Sequence, residues 1–171
     1  MGVNGVYLKN QHNTAKENTK MMENHILLIH TRFDIVSWLI RLYTKSFYNH
    51  CAWILNSHLI IESSRGGIKI NHINKYSNQF LYGTKVVYLK KLYAPERRLI
   101  NNLLTNQVRS ISYIKRFIVF ILVAMNKHSK SKIPTCSNFI ANACSKVGIK
   151  FCNKDIEFIT PGDIENSEEV A

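Results

Sequence analysis

Extended apolar runs crowd into the first ninety residues of this chain of 171, and helical patterns follow them. Asn56-Ser57 separates two of these runs, which predicts a hairpin. The order of strands first and helices later predicts an α+β fold in which an antiparallel sheet packs against helices. The five runs with strand character are 25–30, 47–55, 58–63, 68–70 and 84–90.

Four segments have apolar residues at helical spacing. The first begins after Asp34, whose side chain can accept hydrogen bonds from a helix N-terminus. The second begins at Pro95, and the last follows Pro134-Thr135. The remaining segment, 113–125, is apolar on almost every side, which indicates either a buried core helix or a surface that contacts lipid or a partner.

Positive charge is unevenly spread along the chain. The 23 Lys and Arg against 11 Asp and Glu give a net charge of +12. Six of the acids lie in the last seventeen residues, so residues 1–154 carry +18. Such a body attracts phosphate-rich partners such as nucleic acid, anionic lipid or wall polymers. The alternative is a compositional bias without function, because 16 of the 23 bases are lysine.

The longest apolar run, 117–125, has nine residues, whereas a membrane-spanning helix needs about twenty. The first 24 residues lack the pattern of a signal peptide. We therefore expect a cytoplasmic protein with reduced thiols that can associate with a membrane surface. The expected organisation is a disordered tail over 1–24, a single domain over 25–165 and an acidic tail over 166–171. No cofactor is expected, because the four cysteines lack the close pairs of a zinc site.

Cys136 lies in the first turn of the last predicted helix. Unpaired backbone N–H groups and the positive end of the helix dipole favour a thiolate there. Helical spacing from Phe139 and Ile140 turns the sulfur toward the sheet, so Cys136 is a candidate nucleophile. The alternative for any single cysteine is a small buried apolar side chain. We assign that role to the other three, Cys51, Cys144 and Cys152.

His50 opens an apolar strand and Glu62 closes the next one, so each side chain needs a polar partner and can supply the other's. A two-residue turn at Asn56-Ser57 would pair His50 with Ser63 and place Glu62 on the opposite face. A three-residue loop over 55–57, or an equivalent bulge, would place His50 across from Glu62. With Cys136, the two would form a thiol nucleophile, a base and an orienting group, so this function requires the odd loop.

The segments YNHCAWILNSHLIIESSRGGIKI and TCSNFIANACSKVGI resemble a circularly permuted branch of the NlpC/P60 superfamily, the YiiX-like papain-fold hydrolases. In that branch a strand begins with His, a polar residue follows in a phrase such as IEA, and Cys-Ser opens a late helix. SWLIRLYTKSFYNH resembles the family's helix before the His strand, and TPGDI resembles a C-terminal phrase. The similarity covers roughly residues 25–165 and matches at His50, Glu62, Gly66-Gly67, Cys136-Ser137 and Val147-Gly148-Ile149.

The resemblance implies a papain-like fold in which His50 is the base, Glu62 its orienting partner and Cys136 the nucleophile. The chain order His, Glu, Cys is what marks the permuted branch. Relatives carry a Tyr near the start of a hydrophobic segment, so the resemblance also implies that Tyr113 lines the substrate cleft.

These residues predict a thiol hydrolase or acyltransferase acting on an amide or ester bond. The NlpC/P60 resemblance implies a peptide of the cell-wall type, and a distant similarity to lecithin retinol acyltransferase relatives implies a lipid. The basic body and the 113–125 segment favour a lipid or an anionic membrane surface. The alternative is a catalytically inactive basic protein that binds nucleic acid, through Lys127–Lys132, or an anionic membrane surface. Nucleic acid is the less expected partner, because no aromatic-basic motif supports it.

Overall fold

The computed structural model describes residues 25–32, 35–44, 46–64, 67–90, 92–110 and 135–171. Within these ranges six strands form one antiparallel sheet in the order β5-β1-β2-β3-β4-β6. The strands are β1 (Ile26–Thr31), β2 (His50–Ile54), β3 (Leu59–Ser64), β4 (Gly67–His72), β5 (Tyr82–Val87) and the two-residue β6 (Arg109–Ser110). The predicted five strands in the first ninety residues are confirmed, as is the α+β class.

The helices in the described ranges are α1 (Ile35–Thr44), α2 (Ala94–Thr105), α3 (Cys136–Ser145) and α4 (Pro161–Glu165), with 3₁₀ turns at Ile73–Tyr76 and Ile156–Phe158. Pro95 lies in the first turn of α2, as predicted. The Thr135 hydroxyl caps α3 by accepting a hydrogen bond from the Asn138 N–H at 3.4 Å. The Asp34 cap, the tail over 1–24, the 113–125 helix and the 127–132 basic loop lie outside the described residues.

The main core lies between one face of the sheet and helices α2 and α3. Side chains alternate between the two faces along each strand, and Trp53 is fully buried on the helix-covered face. Its indole N–H donates to the Asn101 Oδ1 of α2 at 2.7 Å, which ties the sheet to that helix. Ile100, Phe139 and Ile140 supply the helical side of this core. The opposite face carries a smaller cluster of Leu27, Ile29, Ala52, Ile54, Ile60 and Tyr76.

Helix α1 joins β1 to β2, at the end of the sheet where β2 begins with His50. The apolar residues that predict this helix are not part of the core. They are exposed: Ile35, Trp38, Leu39 and Leu42. Helical periodicity identifies an apolar face, but it does not say what covers that face.

The last residues of the chain pack beside the segment that follows β5. Tyr88 and Ala171 exchange two backbone hydrogen bonds of 3.1 and 2.9 Å, and Val170 is buried against the core. The segment expected as an acidic tail, 166–171, is thus partly fixed to the body. The domain boundaries at residues 25 and 165 stay predictions.

None of the helices in the described ranges combines the length and apolar character needed to cross a membrane.

Candidate active site

The hairpin between β2 and β3 sets the relation of His50 to Glu62. Trp53 pairs with Ile61 and Ile54 with Ile60, so the loop is 56–58. The predicted loop, 55–57, is wrong by one residue.

The reason for this shift is the Asn56 side chain, whose Oδ1 accepts from the N–H groups of His58 and Leu59, both at 2.9 Å. This turn holds Asn56 inside the loop, and the Leu55 N–H bonds to the Leu59 carbonyl at 2.9 Å.

The observed loop still has three residues, so it keeps both site residues on one face. Continued along the strands, the register sets Ala52 opposite Glu62, and the direct pairing of His50 with Glu62 is therefore wrong. His50 is instead a diagonal neighbour, a position from which long side chains can still touch. The His50 Nε2 donates to the Glu62 Oε2 at 2.5 Å.

Glu62 is fully buried and accepts four hydrogen bonds. Its Oε2 accepts from His50 and from the Tyr76 hydroxyl, each at 2.5 Å. Its Oε1 accepts from the Asn71 amide at 2.7 Å and the Lys75 ammonium at 2.6 Å. Burial alone would raise the pKa of Glu62, but the hydrogen bonds and charges of these partners outweigh it and hold the pKa well below its usual value. The carboxylate therefore stays ionised.

Cys136 begins α3, and its side chain is partly buried against the core. Cys51 and His50 lie close enough to its sulfur to shift the pKa of this thiol. The hydrogen bond from the Cys51 thiol lowers the pKa of Cys136 most, burial opposes it, and the nearby His50 charge lowers it further. The resulting pKa lies well below the usual range of a thiol, which favours the thiolate.

His50 lies between the two acidic partners. Burial alone would lower its pKa, but the charge and hydrogen bond of Cys136, followed by those of Glu62, raise the pKa from 6.5 to about 10. Because Nε2 donates to Glu62, Nδ1 is the nitrogen left to face the sulfur. These shifts favour a carboxylate on Glu62, an imidazolium on His50 and a thiolate on Cys136.

The first turn of α3 also offers backbone donors. The Asn138 N–H is bound to the Thr135 hydroxyl, and the Phe139 N–H bonds to the Thr135 carbonyl at 3.1 Å. The N–H groups of Cys136 and Ser137, in the same first turn, have no acceptor within the helix. A negatively charged oxygen next to the sulfur can be bound there.

The sequence did not point to all the residues that shape this site. Asn71 is predictable only once the β3–β4 register is known, since Lys69 pairs with Glu62 and Asn71 lies two residues further along. Lys75 and Tyr76 come from a 3₁₀ turn, which has no periodic signal. Cys51 is buried, as its predicted role of a small apolar side chain requires, but it also lies beside Cys136 and lowers the pKa of that thiol. Tyr113, the predicted cleft residue, lies outside the described residues.

No family model and no curated protein matches the sequence. Five chains of known structure match the fold. One is the crystal structure of the metalloprotein YiiX (DUF1105) from Escherichia coli O157:H7, with a TM-score of 0.65 and 12% identity over 87% of this chain and 94% of that chain. The YiiX-like fold is confirmed, while the papain-like permutation, NlpC/P60 membership and the link to lecithin retinol acyltransferases stay predictions.

The described residues around Glu62 do not fit a metal ion. In the parts of the chain that the structure describes, no group of three or more His, Cys, Asp and Glu side chains is arranged to hold one. Both oxygens of Glu62 already accept hydrogen bonds, one from the positively charged Lys75. A cation at this carboxylate would have to displace that ammonium group.

Proposed function

We propose that the chain is a cysteine hydrolase or acyltransferase that acts on an amide or ester bond through Cys136, His50 and Glu62. The observation that carries this proposal is the 2.5 Å hydrogen bond from His50 to the buried Glu62, with His50 also close to the Cys136 thiol at the start of α3. A partly buried histidine that needed only a partner would be satisfied by Glu62. The third member gives the arrangement a nucleophile.

In the first half of the reaction, the Cys136 thiolate attacks the carbonyl carbon and forms an S–C bond. The carbonyl electron pair moves to oxygen, where the N–H groups of Cys136 and Ser137 stabilise the charge. Collapse of this intermediate breaks the bond to the leaving group. His50 gives its Nδ1 proton to the departing amine or alcohol.

In the second half, His50 is neutral and takes a proton from water or from an acceptor alcohol or amine. The activated oxygen or nitrogen attacks the thioester carbonyl, and the S–C bond breaks to regenerate the thiolate. Glu62 keeps the imidazole oriented and stabilises its positive charge whenever both ring nitrogens carry a proton. Water as the acceptor gives hydrolysis, and another acceptor gives acyl transfer.

The finer assignment is to the circularly permuted, papain-like branch of NlpC/P60. The chain order of His50, Glu62 and Cys136 supports it, together with the YiiX-like fold. This assignment favours a short peptide of the cell-wall type or a lipid ester as substrate.

The test is alkylation of the full chain by iodoacetamide at mildly acidic pH, followed by peptide mapping. We expect Cys136 to react first, because its pKa is lowered, whereas burial raises the pKa of Cys144. Cys136→Ala should abolish both this labelling and the hydrolysis of soluble activated esters. Cys144→Ala is the matched control and should keep both.

His50→Ala should slow Cys136 alkylation at acidic pH, because the thiolate loses its imidazolium partner. Equal reaction of all four cysteines, with the pH dependence of an ordinary thiol, would contradict the proposal. So would ester hydrolysis that persists in Cys136→Ala.

A further inference from the structure

The outer face of α1 carries four large apolar side chains at positions i, i+3, i+4 and i+7. Ile35 is 79% exposed and Leu42 is 64% exposed, and Trp38 and Leu39 lie between them. Single exposed apolar residues are common on protein surfaces, but a continuous face of four on a ten-residue helix is not. This face therefore has the character of an interaction surface.

A second apolar element lies close to the start of α1. Phe80 is 82% exposed and Leu81 is also exposed, in the turn before β5. The Leu81 carbonyl accepts a hydrogen bond of 2.9 Å from the Arg32 N–H, at the point where the chain leaves β1. The turn and the helix thus lie on the same end of the sheet.

That end is also the site's end. β1 finishes there with Thr31 paired to Tyr82, and β2 begins there with His50 paired to Ile29. Helix α1 connects these two strands, so it lies at the end of the sheet where β2 begins with His50.

The charges of this region complement an anionic surface. Arg32 is exposed, and Arg41 lies half-buried in the last turn of α1 beside the His30 ring. α1 and the 78–82 segment contain no carboxylate, and the nearest acid in the sequence is Asp34, just before α1. The whole chain carries +12. A second copy would bring the same positive charge to this face, while an anionic bilayer attracts it and also accepts the apolar side chains.

We propose that the outer face of α1 and the Phe80-Leu81 turn form a docking surface for an anionic lipid bilayer. The helix lies in the headgroup region with its apolar face inward, and Arg32 contacts lipid phosphate. This arrangement brings the end of the sheet at which β2 begins with His50 to the membrane surface. Its meaning for catalysis, which is access to a lipid ester or amide in the bilayer, rests on the proposed function.

Trp38 provides a direct test. The chain has two tryptophans, and Trp53 is fully buried, so an exposed reporter lies in the proposed surface itself. The full chain is mixed with vesicles of phosphatidylcholine alone or with phosphatidylserine. We expect cosedimentation with the phosphatidylserine vesicles, reversal by high salt, a blue shift of Trp38 emission, and quenching by brominated phosphatidylcholine included in those vesicles.

Two single variants address the two apolar elements. Leu42→Glu in α1 and Phe80→Glu in the turn should each weaken vesicle binding roughly tenfold or more, because a charge replaces buried apolar area. The matched control is Leu99→Glu on α2, a leucine that is 45% exposed in another helix. It should bind as the unaltered chain does. Phe80 lies in a turn, so its variant stays informative if Leu42→Glu does not fold.

The outcomes separate docking from catalysis. Cys136→Ala should bind vesicles normally, and Phe80→Glu should keep normal Cys136 alkylation by iodoacetamide in solution. Vesicle binding without a reactive Cys136 would overturn the proposed function and leave the docking surface intact.

The docking proposal is overturned by absence of binding, by equal binding of Leu42→Glu, Phe80→Glu and Leu99→Glu, or by equal binding to uncharged vesicles. A dimer that Leu42→Glu dissociates, without vesicle binding, would identify a second copy as the occupant instead.

Discussion

Glu62 is an ionised carboxylate with no solvent exposure, an arrangement that is costly unless the charge is fully hydrogen-bonded. Its four donors come from three places: β2 supplies His50, β4 supplies Asn71, and the 3₁₀ turn supplies Lys75 and Tyr76. Because both oxygens are held from several directions, the carboxylate cannot rotate freely. The orientation of the His50 ring is therefore fixed by hydrogen bonds among protein side chains.

Glu62→Gln removes the negative charge that faces His50. The pKa of His50, about 10 in the unaltered chain, should fall, because burial then opposes protonation with less compensation. We expect the alkaline limb of the kcat/KM profile for a soluble ester to move to lower pH, with a loss of roughly tenfold or more in kcat.

The matched control is Glu165→Gln, which removes a surface carboxylate paired with Lys85. Its profile should coincide with that of the unaltered chain. An unshifted alkaline limb in Glu62→Gln would show that Glu62 does not act on His50.

A contact with helix α4, outside the sheet, positions the segment that leads into β2. A Cβ at Gly162 in α4 would lie 2.8 Å from the Cβ of Ser46, closer than such atoms can approach. Ser46 in turn accepts the Tyr48 N–H at 3.1 Å, shortly before His50. The TPGDI phrase thus has a structural reason, since its glycine permits the contact between α4 and the segment that leads into β2.

Gly162→Ala should destabilise the fold by about 1–3 kcal/mol through overpacking and reduce activity by displacing the segment before His50. Gly148→Ala is the matched control. Gly148 has φ of +84° and no neighbour within 4 Å of an added Cβ, so its cost is the backbone strain alone, about 1–2 kcal/mol.

Denaturant unfolding and ester hydrolysis of both variants provide the measurement. Gly148→Ala should keep its kcat, and a similar loss of kcat in the two variants would contradict the proposed contact.

Period-2 and helical patterns are enough to predict the strands and helices, because each pattern reflects which side chains face the core. The odd number of residues in the β2–β3 loop was predictable, because only an odd loop places His50 and Glu62 on the same face of the sheet. The exact register was not, because it depends on the Asn56 side chain bonding to its own loop. Neither was the exposure of α1, since a sequence pattern does not specify whether another element covers an apolar face.

Folding brings the acidic C-terminal segment back against the basic remainder of the molecule. Acids near the C-terminus meet lysines of the body in two ion pairs, Lys85 with Glu165 at 3.0 Å and Lys154 with Asp163 at 2.6 Å. Both lysines are about half exposed, so each pair contributes little to stability. The buried charge of Glu62 therefore matters more for stability than the more numerous surface charges.

The stability of the molecule should consequently depend on acid through Glu62. Its folded pKa is held far below the ordinary 4.5, so the stabilisation from its ionised form is present above about pH 4.5 and is lost as pH falls toward the folded pKa. We expect the free energy of unfolding, measured by denaturant titration at successive pH values, to fall steeply below about pH 4.5.

Glu62→Gln should be less stable near neutral pH but have a shallower acid dependence, because the titrating group is gone. Asp163→Asn, which removes a partly exposed carboxylate, should keep most of the slope. An acid dependence that is equally steep in Glu62→Gln and the unaltered chain would mean that other carboxylates control acid unfolding.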